Sequence, residues 1–445
     1  MPEFVPTRRW LYVLVFILPM TARAEGLEQL IAEAISTHPR VQSSLAQTRA
    51  AQAGINSARW QFFPTPYTNV QGVSASSNDP SFQGDDFVAT VGISQPLWSG
   101  GRLSAGLSKA RSGFSASVAA LAESQQEIAL QVIQVYGEWL AAFLKRKAWE
   151  NSLQTHLRLH NQVSRRVEEG ISAKSDLALA QGRLESTRAE LSTVIAQEAV
   201  ALSRLTQLVG RKLQPNILAR KRSEPRLSQQ GINELKNQAL LLSPTVKRAL
   251  AQVLTAEADI AERKADYWPE VQLRAEHQRG SFINQNADSE NRIFLELNSR
   301  FGAGLSSASN VKEARMRLDA ALAAVDQQRR AVREQVIADY ALRTSFKIRV
   351  AALQSALTTA HDVSDSYSRQ FLAGRKTWLD VMNAARDQVG TEVRLADAQA
   401  SQHTVIWRLV IFTQGLSSID LSSAPLASVG ASFKRYTPPS IRQAS

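Results

Sequence analysis

The sequence predicts a mainly α-helical protein with a few membrane-type β-strands, built as two copies of one plan. Two long stretches, 97–214 and 270–424, contain no proline and are rich in Ala, Leu, Gln, Glu and Arg, which favour long helices. Four short stretches alternate apolar and polar side chains, as strands with one lipid-facing side do. Related residues also recur at an offset of 204–205 positions, which indicates an internal repeat.

The first 24 residues have the three parts of a secretory signal peptide. Arg8 and Arg9 provide the positive region, residues 10–18 form an apolar core, and the sequence ARA ending at Ala24 is a small-x-small cleavage site. The core is too short to span a bilayer as a helix, and an uncleaved anchor is the less favoured alternative. We therefore expect cleavage after Ala24 and export from a bacterial cytoplasm.

Charge, cysteine content and motifs exclude several functional classes. The formal net charge is +12, but acids are interleaved with bases along the helical stretches, which is typical of solvated helix faces rather than of a nucleic-acid surface. With no cysteine, the chain has no disulfide, thiolate metal site, cysteine nucleophile or acylated N-terminal cysteine. We find no phosphate loop, nucleophile elbow or dinucleotide fingerprint, and no cofactor is expected. His156 and His160 lack a third ligand, and we expect two solvated histidines rather than a metal site.

Matching residues at a constant offset indicate a duplication. HPRVQSSLAQ (38–47) aligns with SPTVKRALAQ (243–252), and the register continues to the end of the second copy. Later matched pairs are Pro64 and Pro269, Gly170 and Gly374, Asp176 and Asp380, and Arg204 and Arg408. We therefore predict a signal peptide at 1–24, a first repeat at 25–210, a linker at 211–231, a second repeat at 232–416 and a Ser/Pro-rich tail at 417–445.

Each repeat is predicted to contain the same elements in the same order. A first helix starts with a proline in its first turn, at Pro39 and at Pro244. Two strands follow, at about 67–77 and 87–98 in the first repeat and at about 270–281 and 292–302 in the second. A very long helix then ends at a glycine and a shorter helix returns, at roughly 101–169 and 173–210, then roughly 308–373 and 377–415. At 1.5 Å per residue, each long helix would reach about 100 Å.

The strands suit a β-barrel shared among several copies of the chain. After the signal, no apolar run reaches the roughly 18 residues of a transmembrane helix, so a membrane location would require a barrel. Four strands cannot close one, and two, three or four copies would give eight, twelve or sixteen strands. A soluble sandwich remains the alternative for the faint first strand. The polar faces would line a wet interior with Arg274, Glu276, Arg292, Glu296 and Arg300.

An aromatic pair followed by proline precedes the strands of both repeats. Proline ends a helix and is tolerated at the start of a strand. Large aromatic side chains suit the membrane–water interface. We therefore predict a seam between helices and barrel at Phe62, Phe63, Pro64, Tyr267, Trp268 and Pro269.

Three motifs resemble the TolC family of outer-membrane channel proteins. QPLWSGGR (95–102) is similar to the family's strand-to-helix junction, and EEGISAKSDLALAQ (168–181) and LAGRKTWLDVMNA (372–384) are similar to its two helix-turn-helix tips. The resemblance covers nearly the whole chain after the signal and includes the duplicated element order. It implies a homotrimer with a twelve-stranded β-barrel, four strands per chain, continued by an α-helical coiled-coil barrel. It also implies no catalysis and a place in the Gram-negative outer membrane, extending into the periplasm.

The resemblance further implies docking and gate residues. The tips that would contact a periplasmic adaptor are Gly170, Ile171, Ser172, Gly374, Arg375 and Lys376, although turn formation alone would explain the glycines. Asp380 falls on the acidic position of the family's inner gate, and Asn383 falls where some members have a second acid. The other gate positions are Asp176, Lys376 and Phe371. A ring of carboxylates would attract cations and raise its own pKa values, whereas an ordinary acid at a helix start is the alternative for both aspartates.

The leading functional hypothesis is the outer-membrane duct of a type I secretion system that exports an unfolded protein. Its partners would be outer-membrane lipid, an adaptor (membrane fusion protein) and an inner-membrane ABC transporter or other pump. The missing lipid-anchor cysteine and the motif GRKTWLDVMNA favour secretion. The outer component of a multidrug or small-molecule efflux pump is the first alternative. A periplasmic coiled-coil scaffold with no channel is the alternative from another class.

Overall fold

A computed structural model describes most of the chain between the predicted signal peptide and the predicted tail. The described residues are 26–74, 79–218, 231–284, 289–299, 302 and 306–418. The predicted signal peptide, most of the tail and Arg300 therefore lie outside the described residues. Within the described ranges, no helix is both long enough and apolar enough to cross a lipid bilayer.

The chain is mainly helical, and its two halves follow the same element order. The first half contains α1 (Leu27–Thr37), α2 (Pro39–Trp60), β1 (Thr65–Gly72), β2 (Phe87–Trp98), α3 (Arg102–Glu168) and α4 (Lys174–Val209). The short helix α5 (Pro215–Leu218) follows. The second half contains α6 (Ile232–Leu242), α7 (Pro244–Ala265), β3 (Glu270–Arg279), β4 (Glu290–Asn298), α8 (Ser307–Leu372) and α9 (Trp378–Gln414), and then a 3-10 turn at Leu416–Ser418.

Two prolines separate the short helices α1 and α6 from the helices that follow them. Proline disfavours the helical conformation of the residue before it, and His38 and Ser243 accordingly have non-helical backbones with ψ of 129° and 118°. Both side chains then cap the next helix. His38 Nδ1 accepts from the Arg40 N–H at 3.2 Å, and Ser243 Oγ accepts from the Val246 N–H at 3.3 Å. The sequence prediction missed α1, α5 and α6 as separate helices.

The helices pack around a series of apolar clusters rather than around one central core. The largest cluster joins α1 to α3, α4 and α9, and its biggest fully buried side chains are Trp139, Trp407 and Tyr136. Smaller clusters lie further along the helices, one of them at the tips where α3 and α4 meet α8 and α9. Helix α3, with 67 residues, spans about 100 Å and contacts helices of both halves.

Gly137 allows α3 and α9 to pack closely. A Cβ at this position would overlap the Thr404 Oγ1 atom of α9. Aromatic rings surround the contact, with Tyr136 5.5 Å from Trp139 and 5.5 Å from His403 between ring centroids. The glycine is therefore placed for packing in the middle of a helix, where it would otherwise be unfavourable.

The four strands form one antiparallel sheet in the order β1-β2-β3-β4. Pairing of β2 with β3 joins the two halves of the chain, with Ser94 opposite Arg274. Arg274 also lies opposite Phe294 on β4. Strands β1 and β4 are the edges of the sheet, so the backbone groups on their outer sides are available for pairing with another chain.

We expect Gly137→Ala to lower stability by about 1–2 kcal/mol, because overpacking outweighs the gain in helix propensity. The midpoint of urea unfolding in detergent would measure the change. Gly182→Ala is the matched control, since nothing lies within 4 Å of the added Cβ, and we expect it to be neutral or stabilising. Thr404→Ala should rescue Gly137→Ala; equal effects of the two glycine substitutions would contradict the close contact.

Candidate functional site

The sheet exposes its apolar face and covers its polar face. On the apolar face, Ile293 is 77% exposed and Leu295 is 71% exposed. On the other face, the side chain of Glu276 is only 8% exposed. A sheet in water normally does the reverse, because exposed apolar surface is unfavourable. The apolar face therefore needs an apolar environment.

The covered face carries a connected polar network that reaches all four strands. Arg274 Nη2 lies 2.7 Å from Glu296 Oε1, and Arg274 Nε lies 3.6 Å from Glu276 Oε2. The Tyr67 hydroxyl donates to Glu276 at 2.8 Å, and Gln272 donates to Glu296 at 2.7 Å. Ser94 on β2 donates to Gln272 at 3.2 Å. These contacts satisfy charges that would be costly to leave alone on a covered surface.

The structure brings together three of the five predicted lumen residues: Arg274, Glu276 and Glu296. Arg292 on β4 lies opposite Glu276, but its side chain contacts Glu290 at 2.7 Å and Gln278 at 2.9 Å instead of the network. Phe294 interrupts the apolar–polar alternation of β4, because it is an aromatic residue at a polar-face position, opposite Arg274. The Arg274 guanidinium accounts for it, since this group lies over the Phe294 ring, 4.7 Å from its centroid.

Exposed aromatic side chains surround the predicted seam between helices and strands. Trp268 is 60% exposed and Phe63 is 53% exposed. Each contacts a tryptophan that was not among the predicted seam residues. Between ring centroids, Trp98 lies 6.1 Å from Trp268 and Trp60 lies 5.1 Å from Phe63. Trp60 lies just before the first aromatic–proline motif and Trp98 lies within QPLWSGGR, and these positions were the available signal. The sheet's apolar face thus ends in a group of large exposed rings.

Both predicted tips are Schellman turns with glycine in a left-handed conformation. Gly170 has φ of 74° and Gly374 has φ of 72°. The Ile171 N–H donates to the Arg166 carbonyl at 2.7 Å, and the Arg375 N–H donates to the Gln370 carbonyl at 2.9 Å. Turn geometry therefore explains both glycines. Turn geometry does not explain why the apolar side chains of Ile171 and Leu372, beside these glycines, are exposed.

Asp380 forms a capping box at the start of α9. Thr377 Oγ1 accepts from the Asp380 N–H at 3.2 Å, and Asp380 Oδ2 accepts from the Thr377 N–H at 3.1 Å and from its hydroxyl at 2.8 Å. These hydrogen bonds, aided by the positive charge of Lys376, lower the pKa of Asp380 within one chain. In a single chain, the contacts of Asp380 are therefore those of a helix-start acid.

An open groove of about 490 Å³ lies between α8 and α9 beside Asp380. Asn383 and Asp387 continue its α9 wall, and Val363 and Tyr367 lie on its α8 wall. The predicted residue Asp176 is instead in the first turn of α4, on the other hairpin. Asp380 and Asn383 therefore line one groove, and Asp176 lies outside it.

Phe371 and Lys376, two other predicted gate residues, have different surroundings. Phe371 is buried, contacting Trp378 at 5.0 Å between ring centroids, with the Arg166 guanidinium 4.9 Å from its centroid. In a single chain the ring is enclosed by the apolar cluster at the tips, and its role as an aromatic gate partner stays a prediction. Lys376 is half-buried, and its ammonium group lies over the Tyr367 ring at 4.3 Å.

The expectation of two solvated histidines is wrong for His156. This side chain is buried, and its Nδ1 lies 2.9 Å from the Ser152 carbonyl oxygen. Burial lowers the pKa of His156, and the charge of Arg183 acts in the same direction. In the part of the chain that the structure describes, no group of three or more His, Cys, Asp or Glu side chains could hold a metal ion.

A buried ion pair between α8 and α9 was not predicted. Asp339 is almost fully buried, and its Oδ1 lies 2.9 Å from Arg408 Nη2. Burial raises the pKa of Asp339, and the nearby charge of Arg408 opposes this effect. The repeat alignment drew attention to Arg408, but no sequence pattern indicated its partner.

Comparison with known proteins identifies the family. The sequence model of the family described as outer membrane efflux protein matches residues 30–211 and 235–410. The chain belongs to the outer membrane efflux protein family. The two matched segments contain nearly all of α1–α4 and α6–α9, and the resemblance drawn from the three sequence motifs is confirmed.

Individual members of the outer membrane efflux protein family are similar along most of their length. Protein CyaE of Bordetella pertussis is 25% identical over 71% of this chain and 68% of its own. The alkaline protease secretion protein AprF of Pseudomonas aeruginosa is 22% identical over 81% of this chain and 75% of its own. The cation efflux system protein CusC of Escherichia coli is 23% identical, over 78% of each chain.

Solved structures of the family have the same fold. A structure of CusC superposes with a TM-score of 0.74 at 18% identity, covering 87% of this chain and 91% of its own. The outer membrane protein VceC of Vibrio cholerae superposes with a TM-score of 0.74 at 17% identity, covering 87% of this chain and 96% of its own.

We expect the stability of the folded chain to depend on His156 in mildly acidic solution. The folded pKa lies below the unfolded value of about 6.5, so neutral His156 stabilises the fold above that value, and this contribution is lost as the pH falls through the folded pKa. The midpoint of urea unfolding between pH 8 and pH 5 would show a steeper decline for the wild type than for His156→Gln. His160→Gln is the control, and a wild-type profile for His156→Gln would contradict the prediction.

Proposed function

We propose that this chain is a passive export duct of the Gram-negative outer membrane. Three copies would pair the edges β1 and β4 of their sheets to form a twelve-stranded barrel. Helices α3, α4, α8 and α9 would continue the barrel through the periplasm as a tunnel. The observation that carries this proposal is the sheet itself, whose apolar face is exposed, whose charged face is covered, and whose two edges are available for pairing.

The orientation in the membrane follows from the same sheet. The exposed face carrying Ile293 and Leu295 would meet lipid, and the face carrying Arg274 would meet water in the lumen. The aromatic rings of the seam, including Trp268 and Phe63, would lie at the membrane–water interface on the helical side. The tips at Gly170 and Gly374 would then lie farthest from the membrane and would dock to an adaptor.

Protein secretion is the favoured task, with an ABC transporter supplying the energy. Two findings support it: the similarity to AprF, which is named as an alkaline protease secretion protein, and the motif at residues 374–384. CusC, named as a cation efflux system protein, is similar to nearly the same degree. Small-molecule efflux is therefore the second candidate function, and it would use the same duct with a different pump.

Deletion of the gene should remove one or more large proteins from the culture medium and leave drug and metal sensitivity unchanged. The secreted proteome and the inhibitory concentrations of drugs and metal ions, measured on the same strains, separate the two tasks. Restoring the gene on a plasmid is the control. Increased drug or metal sensitivity with an unaltered secreted proteome would favour efflux instead.

We expect Asp380→Ala to weaken the preference for cations and the block by multivalent cations in planar bilayers. Asp380 would form a ring of carboxylates at the narrow end of the tunnel, and removing it lowers the negative potential there. Asp365→Ala is a matched control, since Asp365 is an exposed acid of α8 outside the groove. Unchanged selectivity of Asp380→Ala would remove Asp380 from the gate. The absence of both conductance and heat-modifiable trimers from wild-type protein would favour the non-channel scaffold.

A further inference from the structure

We infer that Arg274 sets the ion selectivity of the barrel by offsetting one of the two negative charges that Glu276 and Glu296 place on its inner wall. The inference rests on the proposed function, because it requires the covered face of the sheet to line a water-filled lumen. It assigns to one residue of β3 a role in selectivity that is separate from the proposed gate at Asp380. The expected consequence is a wall of low net charge, suited to a cargo of mixed charge such as a polypeptide.

The contacts of Arg274 place its charge between the two acids. Its guanidinium reaches Glu296 on β4 at 2.7 Å and approaches Glu276, two residues along β3, at 3.6 Å. The Phe294 ring, 4.7 Å from the guanidinium carbon, lies beneath the group and favours a cation there. Ser94, opposite Arg274 on the other neighbouring strand, is small and neutral. The charge is thus held in one position rather than free in solution.

The two acids depend on Arg274 because salt screens them poorly. The side chain of Glu276 is 8% exposed and that of Glu296 is 25% exposed. Tyr67 and Gln272 donate hydrogen bonds to these carboxylates but bring no charge. With Arg274 present, the three ionised side chains sum to one negative charge per chain, and without it they sum to two. In a trimer the ring would double its negative charge.

Arg292 provides a comparison on the same face of the sheet. It also pairs with a carboxylate, that of Glu290, at 2.7 Å. The side chain of Glu290 is 61% exposed, so water and salt screen it when Arg292 is removed. Loss of either arginine changes the formal charge by the same amount, but only the loss of Arg274 removes the ion pairs of the two poorly exposed acids, because Arg292, although opposite Glu276, pairs with Glu290.

The test is the reversal potential of purified channels in planar bilayers across a KCl gradient. We expect Arg274→Gln to raise the cation-to-anion permeability ratio about twofold or more. Arg274→Lys keeps the charge and should remain near the wild-type ratio. The triple variant Arg274→Gln/Glu276→Gln/Glu296→Gln removes the acids as well and should fall to the wild-type ratio or below. Arg292→Gln should shift the ratio less than Arg274→Gln does.

The outcomes separate this inference from the proposed function. Conducting wild-type channels with an unchanged ratio in Arg274→Gln would overturn the role of Arg274 and leave the duct intact. An equal shift in Arg292→Gln would also overturn it, since total charge would then decide the selectivity. If Arg274→Gln does not assemble, the triple variant is compared with Arg274→Lys instead. A triple variant that is more cation-selective than Arg274→Lys overturns the inference, and one that is less cation-selective supports it. A wild-type protein without conductance would overturn the proposed function itself.

Discussion

The reversed polarity of a single four-stranded sheet is the constraint on which the rest of the structure depends. Its outer face is apolar and exposed, so the sheet is stable only beside lipid or another apolar surface. Its inner face carries ionised groups, which must neutralise one another where water is limited, as Arg274 does with Glu296. Its edges, β1 and β4, leave backbone groups that another strand could pair with. The polarity of both faces thus follows from one alternation of residues.

The transition from helix to sheet is built from a few residue types whose roles differ. Proline at positions 64 and 269 prevents the preceding helix from continuing, while Trp60 and Trp268 add large rings that lie near the start of the strands. An ion pair between Arg102 and Glu270, 2.7 Å apart, links the start of α3 to the start of β3. The junction at the start of β3 is therefore held by a contact between the two halves as well as by local backbone preference.

Sequence patterns predicted the long helices better than the side-chain positions on them. The absence of proline and the positions of the terminal glycines predicted the ends of α3, α4, α8 and α9 to within one residue. The first strand ends at Gly72 rather than near 77, because the sequence alternation of apolar and polar residues continues past the last paired residue. The burial of Phe371 and His156 depends on which neighbouring helix covers each side chain. The Asp339–Arg408 contact likewise depends on how two helices are placed side by side, and helical periodicity does not specify this placement.

Pairing of β2 with β3 joins the two halves of the chain into one structural unit. The sequence divides near residue 211, yet the first half's α3 packs against both α7 and α9 of the second, and one sheet runs through both. The two halves are therefore separate segments of the sequence but not separate domains of the structure. A single cut in the linker would leave two fragments interlocked, and neither fragment alone would retain a complete sheet. The predicted duplication would therefore have enlarged one folding unit instead of adding a second.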